Sequence, residues 1–380
     1  ARQNIDKLEA HYHDFVTGLV SDPFATQKAM AIIGEHFEFL NIILKISFSE
    51  ALSKDILAQG ELLSTKLFST YLEQQKVEHV LLPALEFMTI DNNDEPQIGS
   101  IKVKLTQLLG QHSNKKLFVT QGYICRNAKG EVDNLKRGGS DYTASLIGAA
   151  INATACEIWT DIDGMHNNDP RVVKKTVPVE QLSFEEAAEL AYFGAKILHP
   201  ASIWPAQQYN IPVKLLNTMQ PEAKGTIIVE EAGSVGVKAV AAKDNIIAIR
   251  IKSSRMLLAY GFLRKVFEVF EKYRTSIDMV TTSEVAVSLT IDNANHLKDI
   301  QKELEPFGAL EIDENQVIIS VVGNEIAQTV NIVRKLFESI QNIPVRMVSY
   351  GGSPHNISLL VPAAYKTQIL QQLNKGMFDL

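Results

Sequence analysis

The chain has 380 residues, 46% of them hydrophobic and 21% charged, more than one ordinary core holds, so two or three domains are expected. That balance excludes a disordered or low-complexity character. Asp and Glu outnumber Lys and Arg by 44 to 37, a net charge of −7, which makes a nucleic-acid backbone a poor partner while leaving local sites for small anions open.

No window reaches the roughly 18 uninterrupted apolar residues of a membrane span. The most apolar stretch, Phe37 to Phe48, is broken by Glu38, Asn41 and Lys45 and reads as a buried helix. No secretory signal is visible. Two cysteines, Cys125 and Cys156, are too few for a disulfide framework and sit among apolar neighbours as small buried hydrophobes. A cytoplasmic location is the simplest expectation. The chain opens on Ala1 with a helical pattern, as if its beginning were absent.

From Ala1 to about Gln75 apolar residues recur at helical spacings, as at Leu52, Ile56 and Leu57. Gly60-Glu61-Leu62-Leu63-Ser64 reads as a helix start with a carboxylate complementing the dipole. Strand-like runs follow at 78–82, 117–124, 157–160 and 212–216, with helices predicted over 141–153 and 183–198. This alternation argues for an α/β fold, an open and mostly parallel sheet covered by helices on both faces. Ser183 and Glu186 form a capping box, each side chain satisfying an orphaned backbone N–H, and His199-Pro200 ends that helix.

Glu231-Ala-Gly-Ser-Val-Gly is a small-residue connector, giving domains at 1–230, 231–312 and 313–380. The tail holds a weak repeat. Strand 246–251, helix 261–273, strands 277–281 and 285–291 and helix 295–304 make the first copy. Strand 317–322, helix 325–341, strands 345–349 and 356–361 and helix 363–374 make the second. A β-α-β-β-α order twice over is the ferredoxin-like plan, and modules this small usually pair.

Arg137-Gly138-Gly139-Ser140-Asp141-Tyr142-Thr143 is the sharpest local signal. Paired glycines let backbone approach a ligand, a helix start offers unpaired N–H groups, and Arg137 is a forked donor for a carboxylate. Ser140 and Asp141 also suit plain caps, so an anion site and a glycine turn both fit. Thr160-Asp161-Ile162-Asp163-Gly164 ends a strand, where open α/β sheets bind ligands, although taken alone Asp-x-Asp-Gly is a weak signal that a turn with no ligand explains better. Lys196 and His199 have bland readings at a helix end, and none of the nine histidines shows metal-ligand spacing.

Together these segments resemble the aspartate kinases. The matching pieces are Gly60-Glu-Leu-Leu-Ser-Thr, Val119-Thr-Gln-Gly-Tyr, Arg137-Gly-Gly-Ser-Asp-Tyr-Thr-Ala, Ile158-Trp-Thr-Asp-Ile-Asp-Gly, Asp169-Pro-Arg-Val-Val and Phe184-Glu-Glu-Ala-Ala-Glu-Leu-Ala-Tyr-Phe-Gly-Ala-Lys-Ile-Leu-His-Pro. The tail resembles two ACT modules of the lysine-sensitive type through Met256, Gly261-Phe-Leu, Ser276-Ile-Asp-Met-Val-Thr-Thr-Ser-Glu, Arg346-Met-Val-Ser-Tyr-Gly and His355-Asn.

The resemblance implies an amino-acid-kinase fold followed by two ACT modules. It implies ATP-Mg-dependent phosphorylation of L-aspartate, the entry to lysine, threonine and methionine synthesis. Glu61 would hold the substrate amino group and Arg137 its α-carboxylate, with Gly138, Gly139 and Ser140 lining the substrate. Asp141 would orient active-site lysines, Lys196 among them. Thr160, Asp161, His166 (where relatives often carry Tyr), Arg171, Lys196 and Ile197 would meet the nucleotide, whose phosphates hold the Mg2+. Met256, Phe262, Leu263, Ser276, Asp278, Ser283 and Glu284 would bind L-lysine as inhibitor between subunits of a homo-oligomer, dimer or tetramer. Met256, Phe262 and Leu263 also suit a core, and Asp278 a turn cap. The family's opening strand with Lys-Phe-Gly-Gly-Thr-Ser has no counterpart here, so an amino-terminal piece is expected in the natural protein. A monofunctional enzyme is expected, since no Gly-x-Gly-x-x-Gly fingerprint follows the second module. The rival reading is an amino-acid sensor that keeps the fold without the catalysis.

Overall fold

The structure, a computed structural model, describes residues 2–46, 49–135, 138–194, 198–231, 233, 235–253 and 260–380. The chain forms two compact units, Ala1–Ile158 with Ala201–Val213, and Trp159–Pro200 with Lys214–Leu380.

Three helices open the first unit: α1 (Arg2–Leu19), α2 (Pro23–Ile43) and α3 (Glu50–Gln74). Asp22 and Ser49 cap the second and third, accepting from the N–H groups of Ala25 and Leu52. Val16, Ala29, Ile33, Phe37, Leu63 and Leu67 bury their facing stripes in one core. The helix start expected at Gly60 is wrong: Gly60 and Glu61 lie mid-way along α3. Ser49 supplies the cap eleven residues earlier, and one internal glycine costs a helix only about 1 kcal/mol.

Strands β1 (Val80–Leu82) and β2 (Phe118–Thr120) pair in parallel across α4 (Ala84–Phe87) and α5 (Ile98–Gln111). A hairpin of β3 (Ile124–Arg126) and β4 (Val132–Asn134) leads into α6 (Gly139–Ile151). Leu82, Phe87, Ile101, Ile124 and Leu146 form the second core. The buried carboxylate of Asp133 on the hairpin is held 2.7 Å from the Lys54 ammonium on α3.

A four-stranded sheet, most of its residues in the second unit, runs β5-β7-β8-β6, formed by β5 (Cys156–Thr160), β6 (Gln181–Ser183), β7 (Val213–Asn217) and β8 (Thr226–Val229), with β6 and β8 parallel. The capping box is present: the Ser183 hydroxyl accepts from the Glu186 N–H at 3.1 Å and Glu186 accepts from the Ser183 N–H at 2.7 Å. The helix it starts, α7 (Phe184–Tyr192), is shorter than the expected 183–198. Gly194, at φ +120°, lies where a Cβ would sit 2.1 Å from the Ala242 carbonyl oxygen, an approach only glycine permits. A new helix, α8 (Pro200–Gln208), begins beyond it, most of it in the first unit.

The tail shows the β-α-β-β-α order twice: β9 (Gly236–Lys252), α9 (Phe262–Lys272), β10 (Val280–Thr282), β11 (Ala286–Ile291) and α10 (Leu297–Leu304), then β12 (Ala309–Asn324), α11 (Ile332–Ser339), β13 (Met347–Ser349), β14 (Asn356–Pro362) and α12 (Lys366–Phe378). The strands make one antiparallel sheet, β10-β11-β9-β12-β14-β13. Its two central strands are far longer than the sequence suggests and serve both modules. Ala248–Lys252 pair with Ala309–Asp313, while Gly236–Lys243 pair with Ile318–Asn324. Ile249, Ile251, Val266, Phe270 and Leu289 fill the first core. Val240 joins Val317, Ile319, Leu336, Leu359 and Leu370 in the second. The helix expected over 325–341 is split, because Glu325 and Asn331 sit at positive φ around a short 3-10 turn. Among the described residues no helix is long and apolar enough to cross a membrane.

Candidate active site

Three of the sequence motifs meet in the first unit, and Gln121 is the joint. Its Nε2 donates to Thr65 Oγ1 at 2.9 Å, its Oε1 accepts from the Ala84 N–H at 2.8 Å, and Thr65 in turn donates to the carbonyl of Glu61. Gly122, the next residue, lies against Ser140, where a Cβ would sit 2.4 Å from the hydroxyl oxygen. The Tyr123 N–H donates to Thr143 Oγ1 at 2.9 Å. The chain around Glu61 is thus pinned to the end of β2, and the end of β2 to the start of α6.

At that start the N-cap is Gly138, in the left-handed region at φ +77° and, among the described residues, with no side-chain cap; neither Ser140 nor Asp141 caps the helix. Gly139 is left-handed too, at φ +45°. Without such a cap, the first N–H groups of α6 suit an anion, beside two residues, Gly138 and Gly139, that carry no Cβ. Ser140 is exposed and Asp141 partly buried, and burial pushes the Asp141 carboxyl above the usual carboxylate range. Arg137, Lys196 and Ile197 lie outside the described residues.

The second unit carries the other polar cluster. Thr160, at the carboxyl end of β5, donates to Asp161 Oδ1 at 3.0 Å, and its carbonyl accepts from the Thr218 N–H at 2.8 Å. Gly164 turns the chain at φ +114° against Thr226, whose hydroxyl accepts from Met165 N–H and donates to the Val179 carbonyl. The His166 ring is fixed on both sides, 2.7 Å from Asp163 Oδ1 and 2.8 Å from Thr176 Oγ1. Arg171 projects into solvent and clasps Asp169 through Nε and Nη2, each at 2.9 Å. Burial works against the Asp169 charge, yet this fork holds its carboxyl below the usual range.

The residues expected to bind an effector divide. Phe262 is buried, edge-on to Phe307 at 6.1 Å, which is the core role weighed above. Leu263, Ser276, Ser283 and Glu284 are exposed, and Met256 lies outside the described residues. Asp278 has a fully buried side chain whose Oδ1 accepts from Lys243 Nζ at 2.6 Å and from the Tyr192 hydroxyl at 2.8 Å. Its Oδ2 is buried with no hydrogen-bond partner among the described residues. Lys243 also lies 2.9 Å from Asp292. Burial pushes the Asp278 carboxyl up while Lys243 and Tyr192 pull it down. Burial likewise opposes the Lys243 charge, but its two carboxylates raise the ammonium above its ordinary value. With one cation between two carboxylates we treat the Lys243–Asp278 pair as ionised. Sequence reasoning missed Lys243, Tyr192 and Asp292. Tyr192 sits inside a matched motif without a role, and no motif marks Lys243 or Asp292.

The sequence profile of the amino acid kinase family matches residues 2–217, and that of an ACT domain matches residues 319–377. Fold and motifs therefore define an amino acid kinase joined to ACT modules. Lysine-sensitive aspartokinase 3 of Escherichia coli is 33% identical over 346 residues, covering 88% of this chain and 77% of that protein. Chloroplastic aspartokinase 3 of Arabidopsis thaliana is 35% identical, covering 92% and 66%. The crystal structure of E. coli aspartokinase III with aspartate and ADP superposes with a TM-score of 0.84 at 30% identity, over 99% of this chain and 87% of that one. The complex of the same enzyme with lysine and aspartate gives 0.76 at 32% identity, over 92% and 80%. The chain belongs to the aspartokinases. It spans about two thirds to three quarters of the length of the two relatives named.

Proposed function

We propose that this protein transfers the γ-phosphoryl group of ATP-Mg to the side-chain carboxylate of L-aspartate, forming 4-phospho-L-aspartate, under inhibition by L-lysine. The observation that carries this reading is the joint at Gln121, which draws the Glu61, Gly122 and Ser140 motifs together at the uncapped start of α6. Glu61 takes the substrate amino group and Arg137 its α-carboxylate, against the glycine backbone of 138–139 and Ser140. Asp141 orients cationic groups, with Lys196 among them. Thr160, Asp161, His166, Arg171, Lys196 and Ile197 receive the nucleotide, and Mg2+ is held through its phosphates. An aspartate carboxylate is ionised at neutral pH, so the nucleophile needs no base, and catalysis reduces to positioning and to neutralising the transferring phosphoryl group.

The catalytic part is assigned to 1–230 and the regulatory modules to 231–312 and 313–380, the first of which lends the opening stretch of β9, Gly236–Lys243, to the sheet of the second. Lysine sensing is assigned to the first module through Met256, Phe262, Leu263, Ser276, Asp278, Ser283 and Glu284, in a cytoplasmic homo-oligomer, dimer or tetramer, paired through these modules. The test is a coupled ATP-turnover assay on the full-length gene product with L-aspartate, with and without L-lysine. Turnover suppressed by lysine is the expected result. Turnover indifferent to lysine overturns the effector assignment, and its absence in the intact protein overturns the kinase in favour of a sensor.

A further inference from the structure

We propose that Asn374, on the last helix of the second regulatory module, is a positioning residue for the nucleotide, acting through an unbroken hydrogen-bond relay from Asn374 through Asn168 and Asp169 to Arg171. The inference rests on the reading of Arg171 as a nucleotide contact.

Asn374 is 2% exposed and shares the core face of α12 with Leu370, Leu373 and Met377. An amide there is costly unless every polar atom finds a partner, and the partners lie on one loop. Its Nδ2 donates to the Lys175 carbonyl at 2.8 Å, and its Oδ1 accepts from Nδ2 of Asn167 at 3.1 Å and of Asn168 at 3.4 Å. Asn168 also donates to the Leu370 carbonyl at 2.9 Å, and its Oδ1 accepts from the Asp169 N–H at 2.9 Å. Asp169 Oδ1 then accepts from both the backbone N–H and Nε of Arg171, each at 2.9 Å. Asn167 closes the base of the loop by exchanging backbone hydrogen bonds with the Val177 N–H and carbonyl through its side chain and N–H.

The loop from 167 to 177 is therefore gripped at both ends by one side chain of the regulatory module. Between those ends Val173 sits in that module's core, leaving the tip with Arg171 exposed. The loop carries a kinase motif, yet its foundations belong to α12. A core built only for stability would place Leu at 374, as at 370 and 373. The amide is explained by the loop it holds, because a network this buried cannot lose one member without stranding the others. Nucleotide affinity is thereby set from the second module, independently of the aspartate side.

The test uses the full-length enzyme. Asn374→Leu keeps the branching and heavy-atom count of the side chain and removes its hydrogen bonds. It should raise KM for ATP about tenfold, the cost of roughly one positioning hydrogen bond, with KM for aspartate and kcat each within about twofold. Asn168→Ala, which leaves α12 intact, should do the same and covers the case in which the leucine variant does not fold. Leu373→Ala is the structural comparison. It should lower the melting temperature at least as far as Asn374→Leu while leaving KM for ATP within about twofold, as expected for a cavity alone. Arg171→Ala separates the two layers of the argument. A raised KM for ATP in Arg171→Ala beside an unchanged one in Asn374→Leu and Asn168→Ala overturns the positioning role alone. An unchanged KM in Arg171→Ala removes the loop from the nucleotide site and the proposal with it.

Discussion

Lys243 Nζ lies 2.6 Å from Asp278 Oδ1 and 4.3 Å above the ring of Tyr192. The carboxylate proposed to take the side-chain ammonium of L-lysine thus already holds one, at the end of the same four-carbon stem. Effector binding would displace a tethered competitor and release the Tyr192 hydroxyl at the end of α7, which connects the sensor to a kinase helix.

Lys243→Met removes that competitor and leaves a buried carboxylate whose remaining side-chain partner among the described residues is a neutral hydroxyl. We expect a stability loss of about 3–5 kcal/mol, the usual cost of breaking a buried pair from one side. Added L-lysine should restore more melting temperature to the variant than it gives the parent, since ligand that fills the vacancy stabilises by linkage. Thermal scans across a lysine titration check this, and equal shifts in both proteins would count against the competition.

Asp278→Asn keeps the shape and removes the charge. The lysine concentration for half-inhibition should rise about tenfold or more, the loss of one charge-assisted hydrogen bond. Unaltered inhibition would take Asp278 out of the effector site.

Gly138→Ala meets two obstacles at once, a backbone at φ +77° and a Cβ that would sit 2.6 Å from Ser202 Cβ. The strain costs about 1–3 kcal/mol, and displacement of the turn proposed to hold the substrate should lower kcat/KM for aspartate about a hundredfold. Ser202→Gly in the same chain relieves only the collision, so partial recovery is expected in steady-state kinetics.

The buried thiols give a pH dependence. Burial pushes Cys125 up to about 12 and Cys156 up to about 11, against about 8.5 for an unfolded thiol. Above pH 8.5 the unfolded chain releases protons that the folded chain keeps, so stability falls as pH rises, by up to about 1.4 kcal/mol per unit for each thiol. Urea midpoints at pH 8, 9 and 10 should decline more steeply in the parent than in Cys125→Ala/Cys156→Ala.

What the sequence discloses follows the range of the interactions. The capping box at Ser183 and Glu186 is legible because both bonds close within one turn of helix. Gly138 and Gly139 are legible because two consecutive left-handed residues, at φ +77° and +45°, suit glycine far better than any residue with a Cβ. The misreading at Gly60 comes from judging a helix start by its own residues when the cap at Ser49 had already begun it. Lys243, Tyr192 and Asn374 stay silent for another reason. Their partners are 35, 86 and 207 positions away, and nothing in a local pattern names a partner at that distance.

The shared strands of the regulatory sheet also order events at the ribosome. Lys243 faces Ile318 across the ladder of the second module, and the whole first module lies between them in the chain. The opening strand of the second module is therefore synthesised early and waits, unpaired along that edge, until the first module has been made and β12 emerges. Closing so long a loop is slow when the intervening chain is loose and faster once it has folded into a compact insert. Substitutions that loosen the first core, at Ile249 or Phe270, should then delay maturation of a module they never touch.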